Sequence, residues 1–524
     1  MRTTKARRRD IRTTIGLAFL FLACAVAGTA MAAERATLAD AAEHRDQAVV
    51  RTLLKSGVDV NATQVDGTTA LHWAAYHEDP DTAALLLKAG ARVNATNRYG
   101  VPPLALACTN GNAAVVKLLL DAGADANATM TGGETVLMMA ARSGSADAVK
   151  ALLVRGAKHD ARERRGQTAL MWAAAEGHAA VVGALIEAGA DVNATLDSGF
   201  TPFFFAVREG RIEVARKLLA SGINVNEPLR RRERSVEIPG TYVRPSGPGA
   251  SPILLAVQNA HFELAIALVD AGANPNDLQT GFAPLHTLSW VRKPDSSDIS
   301  DPAMPAGSGA LTSLQFVREI VKRGANVNLP LPKGTPKVPH TSSRIGSEGA
   351  TPFLLAADRA DVPLMRVLME LGADPMLPNA MKTTPLMAAA GLGTTEPLEE
   401  AGEDVEALEA SKMLLDLGAD VNAVDDNGDT AMHGAAYGAY PMVVKLLAER
   451  GADPQIWKEK NKSGITPLFA AEGNIGRLPR PDKPTIEAVT KLMLAAGLST
   501  EGERPAIVDI YEKMPEPPRK PAAK

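Results

Sequence analysis

The sequence predicts an all-α solenoid built from stacked helix-turn-helix units, and three observations lead to it. Glycine recurs with a period of 33 residues at Gly67, Gly100, Gly133, Gly166 and Gly199. Each of these glycines precedes two apolar helical stretches, and a second glycine follows the second stretch. A constant period of this size is typical of proteins whose units bury their apolar faces only against neighbouring units.

The first helical stretch of many units begins at a Thr-Pro pair. A threonine hydroxyl at this point can cap the helix by accepting a backbone hydrogen bond. Proline is favoured as the first helical residue because its missing N–H would have no partner there. The pairs are Thr201-Pro202, Thr351-Pro352, Thr384-Pro385 and Thr466-Pro467.

The second helical stretch has an apolar face, for example Val181, Val182, Leu185 and Ile186. Their spacing is that of one helix face. The glycines that follow these stretches are Gly90, Gly123, Gly156, Gly189 and Gly222, where a left-handed C-terminal residue favours glycine.

Together these features resemble the ankyrin repeat. By this template about twelve units follow one another, the first being residues 38–63 and the last ending near Gly497. The resemblance covers residues 33–498, so we expect one elongated stack with short hairpin loops instead of the several globular domains that the length suggests. It also implies that protein partners bind the hairpin tips and the outward side of the first helices, on the concave face.

The N-terminus has the pattern of a secretory signal peptide. Six basic side chains accompany an apolar run over residues 15–28, and Ala30-Met31-Ala32 fits a cleavage site. We therefore interpret residues 1–32 as a signal peptide cleaved after Ala32, and expect a periplasmic or secreted protein because the composition looks bacterial. The alternative is a scaffold anchored to the membrane through a lipid on Cys24.

The charge and the cysteine content of the chain disfavour a nucleic-acid partner and an internal disulfide. The chain carries −4, and residues 1–32 contribute six positive and one negative side chains, so the mature chain would carry −9. An acidic chain disfavours nucleic acid as a partner. Cys108 alone would remain, so we expect no internal disulfide. With no second long apolar run, we expect no transmembrane span in the mature chain, and we expect a monomer.

Insertions interrupt the period in the second half of the chain. They lie at about residues 227–248, 292–310, 329–348, 394–409 and 473–484, and a proline-rich tail that we expect to be flexible follows at 499–524. Insertions in repeat proteins often lie in loops of the binding face. Tolerated surface drift is the competing interpretation, because longer loops cost little free energy.

Four Asn-Ala-Thr triplets match the pattern of glycosylation acceptors. They begin at Asn61, Asn94, Asn127 and Asn193, always at the same position of the unit. This regular placement favours structural turn residues over modification sites.

Candidate catalytic residues are few. His72, His286 and His433 share one position, where the ankyrin resemblance implies hydrogen bonds to the backbone of adjacent loops. We expect no metal, no cofactor and no catalytic residue. The alternative is a hydrolytic or ligand-binding site assembled by the insertions of units six to eight, near Trp290, His286 and Asp295.

The leading hypothesis is a non-catalytic scaffold that binds a protein. Aromatic and arginine side chains dominate the energetics of such interfaces. Placing the outward positions of the units on the sequence gives the candidate partner-binding residues Tyr76, His77, Arg98, Tyr99, Arg142, Arg164, Arg165, Phe200, Arg208, Trp290 and Tyr437. Trp73 and Trp172 occupy a packing position, whereas Trp290 falls three positions later and is expected to face the groove.

Overall fold

The computed structural model describes residues 37–230, 249–294, 305–338, 345–394, 403–473 and 481–501. In these ranges the chain forms 25 helices. The β-structure there is limited to two isolated bridges, Thr63 with Thr69 and Thr129 with Thr135. Twelve helix pairs and one short extra helix account for all 25, which confirms the predicted all-α solenoid.

The helices of the first six units are α1 (Leu38–Glu43) and α2 (Gln47–Lys55), α3 (Ala70–Tyr76) and α4 (Pro80–Lys88), α5 (Pro103–Asn110) and α6 (Ala113–Asp121), α7 (Val136–Ser143) and α8 (Ala146–Val154), α9 (Ala169–Glu176) and α10 (Ala179–Glu187), and α11 (Pro202–Arg208) and α12 (Ile212–Ala220).

Units seven to twelve contain α13 (Pro252–Gln258) and α14 (Phe262–Asp270), α15 (Pro284–Arg292) and α16 (Ser313–Lys322), α17 (Pro352–Asp358) and α18 (Val362–Glu370), α19 (Pro385–Ala389) and α20 (Asp404–Asp416), α21 (Ala431–Tyr437) and α22 (Pro441–Glu449), and α24 (Pro467–Ala471) and α25 (Lys483–Ala495). The short α23 (Pro454–Trp457) follows α22.

The helices form two layers. First helices contact the first helices of the neighbouring units, and second helices contact second helices, without a break from unit one to unit twelve. One apolar cluster runs through the whole stack. No unit has a core of its own, so each depends on its neighbours for burial.

The histidines at the start of the first helices hold neighbouring units together. In α3, Nδ1 of His72 accepts from the hydroxyl of Thr69 at 2.8 Å, and Nε2 donates to the carbonyl of Val101 in the next unit at 3.0 Å. Nε2 of His286 donates to the carbonyl of Leu329 at 2.9 Å. Both rings are fully buried, so their role here is structural.

A row of asparagine side chains, which we call the asparagine ladder, connects neighbouring units at seven of the eleven boundaries, on the side of the second helices. Nδ2 of Asn94 donates to the carbonyl of Gly123 at 3.1 Å, and its Oδ1 accepts from the backbone N–H of Asp125 at 2.9 Å. The same two bonds are made by Asn61, Asn127, Asn226, Asn276, Asn328 and Asn422. Three of the four Asn-Ala-Thr asparagines are therefore turn residues of this ladder.

The hairpin tips are also joined along the stack. The backbone N–H of Arg98 donates to the carbonyl of Asp66 at 2.8 Å, and that of Asp426 donates to Met381 at 2.8 Å. Lys382 replaces the glycine of unit ten and still adopts its left-handed conformation, with φ +62°. Its Nζ lies 2.7 Å from Asp426, so the tip keeps its shape without glycine.

The insertions enter the stack at two kinds of position. Those at 227–248 and 329–348 extend hairpin tips, and each is closed at its base by two backbone hydrogen bonds. Leu229 bonds to Gly249 and Ala250, and Leu331 bonds to Gly349 and Ala350, at 2.8–3.0 Å. The other three separate the first helix from the second in units eight, ten and twelve.

The insertion expected at 394–409 is partly helical, because α20 begins at Asp404. Glu403 and Glu406 form a capping box at its start, and acidic side chains stabilise a helix N-terminus. The second part of the predicted insertion, from Asp404 onward, is therefore helix.

The end of the insertion at 292–310 is bound to unit seven. Oε1 of Glu263 accepts from the backbone N–H of Ala310 at 2.7 Å and of Leu311 at 3.1 Å. Before it, Nε of Arg292 lies 2.7 Å from the buried carboxylate of Asp361 in unit nine. Polar side-chain contacts therefore join units seven, eight and nine in addition to the asparagine ladder.

Among the helices of the described residues, we find none with the length and apolar content needed to cross a membrane.

The asparagine ladder predicts a position-dependent loss of stability. Asn94→Ala removes two hydrogen bonds between units and should lower the free energy of unfolding by about 1–2 kcal/mol, measured by urea denaturation. Asn193→Ala is the matched control, since the Asn193 side chain makes no hydrogen bond within the described residues and its removal should cost under about 0.5 kcal/mol. Equal losses in both variants would contradict a structural role for the ladder.

The buried histidines predict acid sensitivity. Burial lowers the pKa of His286 to about 4, below its ordinary value of 6.5, so the unfolded chain binds its proton first. Stability from this group is complete above pH 6.5 and is lost as the pH falls through 4, by on the order of 2–3 kcal/mol.

His286→Asn should therefore flatten the dependence of unfolding free energy on pH between 6.5 and 4, measured by urea denaturation at several pH values. The matched control is His44→Asn, which changes an exposed ring. An unchanged slope in the His286 variant would show that this ring is not the source of the acid sensitivity.

Candidate functional site: the hairpin face

The candidate site is a surface that we call the hairpin face, formed by the hairpin tips and the exposed side chains of the first helices. Its helical positions recur because every unit repeats the same geometry. Tyr76, Arg142 and Arg208 all lie nine residues after the glycine of their unit. They occur at or near the end of α3, α7 and α11, where Tyr76 and Arg208 are exposed and Arg142 is half-buried.

Unit two places three rings on this face. Trp73, Tyr76 and His77 contact one another with centroids 5.2–5.7 Å apart. Nε2 of His77 also donates to the carbonyl of Glu43 at 2.7 Å, so this ring binds unit one as well. Tyr76, 51% exposed, is the ring most available to a partner.

Acidic groups lie beside these rings. Nε2 of Gln64 donates to Oδ1 of Asp40 at 2.8 Å and to Oε2 of Glu43 at 2.6 Å, and its Oε1 accepts from Nε1 of Trp73. Hydrogen bonds from Thr37 and Gln64 lower the pKa of Asp40, which keeps it ionised. This end of the face is therefore aromatic and negative.

At unit three the charge of the face changes from negative to positive. Arg98 and Tyr99 stand exposed at the tip, with the guanidinium carbon of Arg98 4.9 Å from the Tyr99 ring centroid. Nη2 of Arg98 donates to the Tyr99 hydroxyl at 2.7 Å. The two side chains form one unit, in which a cation is held over an aromatic ring.

Units four and five repeat this arrangement across their boundary. The guanidinium carbon of Arg142 lies 5.6 Å from the ring of Trp172, and its Nε lies 3.6 Å from Glu176. At the tip of unit five, Arg164 and Arg165 are both exposed.

Unit six carries the third such pair. The guanidinium carbon of Arg208 lies 5.3 Å from the ring of Phe200 and 5.1 Å from that of Phe205. Its Nε donates to Glu209 at 2.9 Å. Phe200, Phe204 and Phe205 pack together beneath it, which fixes the guanidinium in place.

The prediction that Trp290 faces the groove was wrong. Trp290 occupies the position of Tyr76 and Arg208 in its unit but is only 3% exposed. Its ring meets that of Phe282 edge-on at 5.1 Å, and Thr335 and Pro336 of the following insertion lie against the adjacent Gly281. The chain therefore covers its own face at unit eight.

Tyr437 lies apart from the other candidates, in unit eleven. Its hydroxyl donates to Oδ1 of Asp429 at 3.3 Å, and Nδ2 of Asn461 donates to both groups at 2.8–3.0 Å. Burial raises the pKa of Tyr437 and of Asp429. This half-buried network joins units eleven and twelve and does not meet the residues of units two to six.

Sequence reasoning missed part of the face. Trp73 and Trp172 were assigned to packing, yet both are half-buried and contact the exposed groups just described. Gln64, which joins Trp73 to the acidic side chains, was not considered. The signal was present, since both tryptophans lie six residues after their glycine, on the side of the helix that leads to Tyr76.

The alternative site in the insertions was predicted from Trp290, His286 and Asp295. The first two are buried inside the stack, and Asp295 lies outside the described residues. A cleft of about 160 Å³ does lie between unit seven and the insertion of unit eight, with Phe262, Val291 and Arg292 in its lining. Arg292 is bound to Asp361 and Ser313 there, so its guanidinium is already occupied.

No group of three or more histidine, cysteine or acidic side chains suited to a metal ion occurs in the described part of the chain. Burial raises the pKa of the Cys108 thiol, which keeps it protonated.

Comparison with known proteins assigns the repeat. A family model for ankyrin repeats in three copies matches residues 38–130 and 137–228, and a second ankyrin model matches 406–447. Units seven to nine, which carry two tip insertions and one insertion between helices, lie outside these matches. The structure shows the same helix pairs there.

Curated relatives are similar over short segments. An ankyrin repeat and KH domain-containing protein, mask-1 of Caenorhabditis elegans, is 27% identical over 43% of this chain and 8% of its own length. Human ankyrin repeat and SOCS box protein 6 is 35% identical over 20% of this chain and 27% of its own length. The chain thus spans about a quarter or less of the length of these relatives.

The similarity of sequence, the order of the helices and the hydrogen bonds between units all indicate the same repeat. With its twelve stacked helix pairs and its matches to two ankyrin models over residues 38–130, 137–228 and 406–447, the chain contains ankyrin repeats.

Proposed function

We propose that this chain is a non-catalytic scaffold that binds a protein partner on the hairpin face of units two to six. The observation that carries the proposal is the run of exposed and half-buried aromatic and arginine groups on successive units, ending with the pair of Arg208 and Phe200. Such side chains supply most of the binding energy of protein interfaces.

The second half of the stack supports this choice of units. At unit eight the equivalent position holds the buried Trp290, and the following insertion lies over the tip. A partner would find the face open from unit two to unit six and closed at unit eight.

The groups on the open face suit binding more than chemistry. Rings and guanidinium groups provide contact area and hydrogen-bond donors, whereas His72 and Cys108, which could act as base or nucleophile, are fully buried. Function on this fold is therefore argued from the surface itself.

Site-specific photocrosslinking tests the position of the partner. A photoreactive phenylalanine analogue in place of Tyr99 should give a discrete crosslinked protein in the organism that encodes the chain, because Tyr99 is 44% exposed on the face. The same analogue in place of Val154, which is 85% exposed on a second helix, is the matched control and should give none. Identical products at both positions, or none at Tyr99, would contradict the proposal.

We further propose that the protein is exported, with residues 1–32 removed as a signal peptide. The basic residues, the apolar run over residues 15–28 and Ala30-Met31-Ala32 support this, and all lie outside the described residues. Soluble export as a monomer to the periplasm or beyond is the form that we favour over anchoring at Cys24.

Intact mass spectrometry of the protein purified from its source decides between these forms. Export with simple cleavage predicts a mass that begins at Ala33. A mass that begins at Cys24 with attached acyl chains would establish the anchored form, and a mass that begins at Met1 would contradict export by cleavage.

A further inference from the structure

We propose that the hairpin face of units three to six recognises an acidic segment of its protein partner. This inference rests on the proposed function and adds the chemistry of the partner. The recognising groups are the arginines of these units, which we call the arginine strip: Arg98, Arg142, Arg164, Arg165 and Arg208.

The strip is ordered by aromatic rings. Every contact of a guanidinium with a ring found in the described part of the chain involves this strip, at 4.9 Å for Arg98, 5.6 Å for Arg142 and 5.1–5.3 Å for Arg208. A guanidinium that lies on a ring has lost much of its rotational freedom already. Less entropy is then lost when a partner binds it.

The geometry leaves hydrogen-bond donors available. A stacked guanidinium uses its flat face on the ring and keeps its edge of N–H groups for a carboxylate, which it can bind through two parallel bonds. In Arg208 the bond to Glu209 involves Nε, and in Arg98 the bond to Tyr99 involves Nη2. Each has further N–H groups on its other nitrogens.

Three exposed arginines of the strip form no salt bridge within the described residues: Arg98, Arg164 and Arg165. Of these, Arg98 is attracted electrostatically by Asp66 of the preceding tip. Arg162 adds a fixed cation beside them, because its Nη1 donates to the carbonyls of Gly166 and Thr195 at 3.0–3.1 Å. Positive charges that form no salt bridge at the tips of units three and five attract an acidic segment and raise its association rate.

The acidic end of the face sets the position of that segment. Asp40, Glu43 and Asp66 lie in units one and two, just before the strip begins at Arg98. They repel the same carboxylates that the strip attracts. An acidic segment is therefore favoured over units three to six and disfavoured over units one and two.

Nucleic acid is the other polyanion to consider, and the rings disfavour it. Proteins that bind single strands stack bases on exposed aromatic faces. Here the rings of Tyr99, Trp172 and Phe200 are already covered on one side by guanidinium groups, and the whole chain is negative at −4. We therefore assign the strip to an acidic protein segment.

Binding of a fluorescein-labelled peptide of ten glutamates to the full chain tests this assignment by fluorescence anisotropy. The variant Arg98→Gln/Arg165→Gln/Arg208→Gln should bind it at least about tenfold more weakly, because charge-assisted hydrogen bonds are lost. Arg51→Gln/Arg155→Gln/Arg216→Gln removes the same charge from exposed positions on the second helices and should change the affinity less than about twofold. Replacement of the three strip arginines by lysine should give an intermediate loss.

Three results would overturn the proposal: no binding of the glutamate peptide, an equal loss in both glutamine variants, or tighter binding of a twenty-nucleotide single strand through the same arginines. Circular dichroism of each variant shows that it is folded. A protein crosslinked through Tyr99 whose capture is unaffected by the strip variant would refute acidic recognition and leave the scaffold function standing. The absence of any crosslinked protein from Tyr99 in the chain that keeps all strip arginines would refute both the acidic recognition and the scaffold function.

Discussion

Hydrogen bonds between an asparagine side chain and the backbone of the following unit hold most of the stack in register. Oδ1 of Asn94 accepts from the backbone N–H of Asp125 and Nδ2 donates to the carbonyl of Gly123, so two loops of adjacent units are fixed at one distance. These bonds recur at seven of the eleven boundaries between units, from Asn61 to Asn422, and the helices of both layers are in contact along the whole stack. The apolar core can then be continuous, although each unit is too small to form one.

The hairpin face follows from the same constraint. Because the units repeat at constant spacing, a side chain placed at one position of successive units forms a row on the surface. Arg142 and Trp172 meet across the boundary of units four and five only because these units are held in register. A partner therefore contacts a surface whose chemistry depends on the side chains at a few positions of each unit. The other positions of the unit fix the geometry of that surface.

The sequence alone was sufficient to predict the helix-turn-helix units and most residues of the candidate face. Thr-Pro pairs and periodic glycines are local signals, and the structure places Tyr76, Tyr99 and Arg208 on the surface where that period put them. Trp290 could not be placed in this way, because what covers its face is an insertion about forty residues later with no period of its own. The start of α20 was missed for a related reason, since acidic residues occur both in loops and at helix N-termini.

The closure of the two tip insertions has a consequence for how this protein can change. Leu229 with Gly249, and Leu331 with Gly349, are bonded across the base of each insertion, so the flanking units are aligned whatever lies between. In the second insertion Leu331, Val338 and Ile345 are buried in the core, so its sequence is tied to the fold. Between Leu229 and Gly249 length and sequence can diverge faster than the stack, and this is the natural place to graft a foreign peptide.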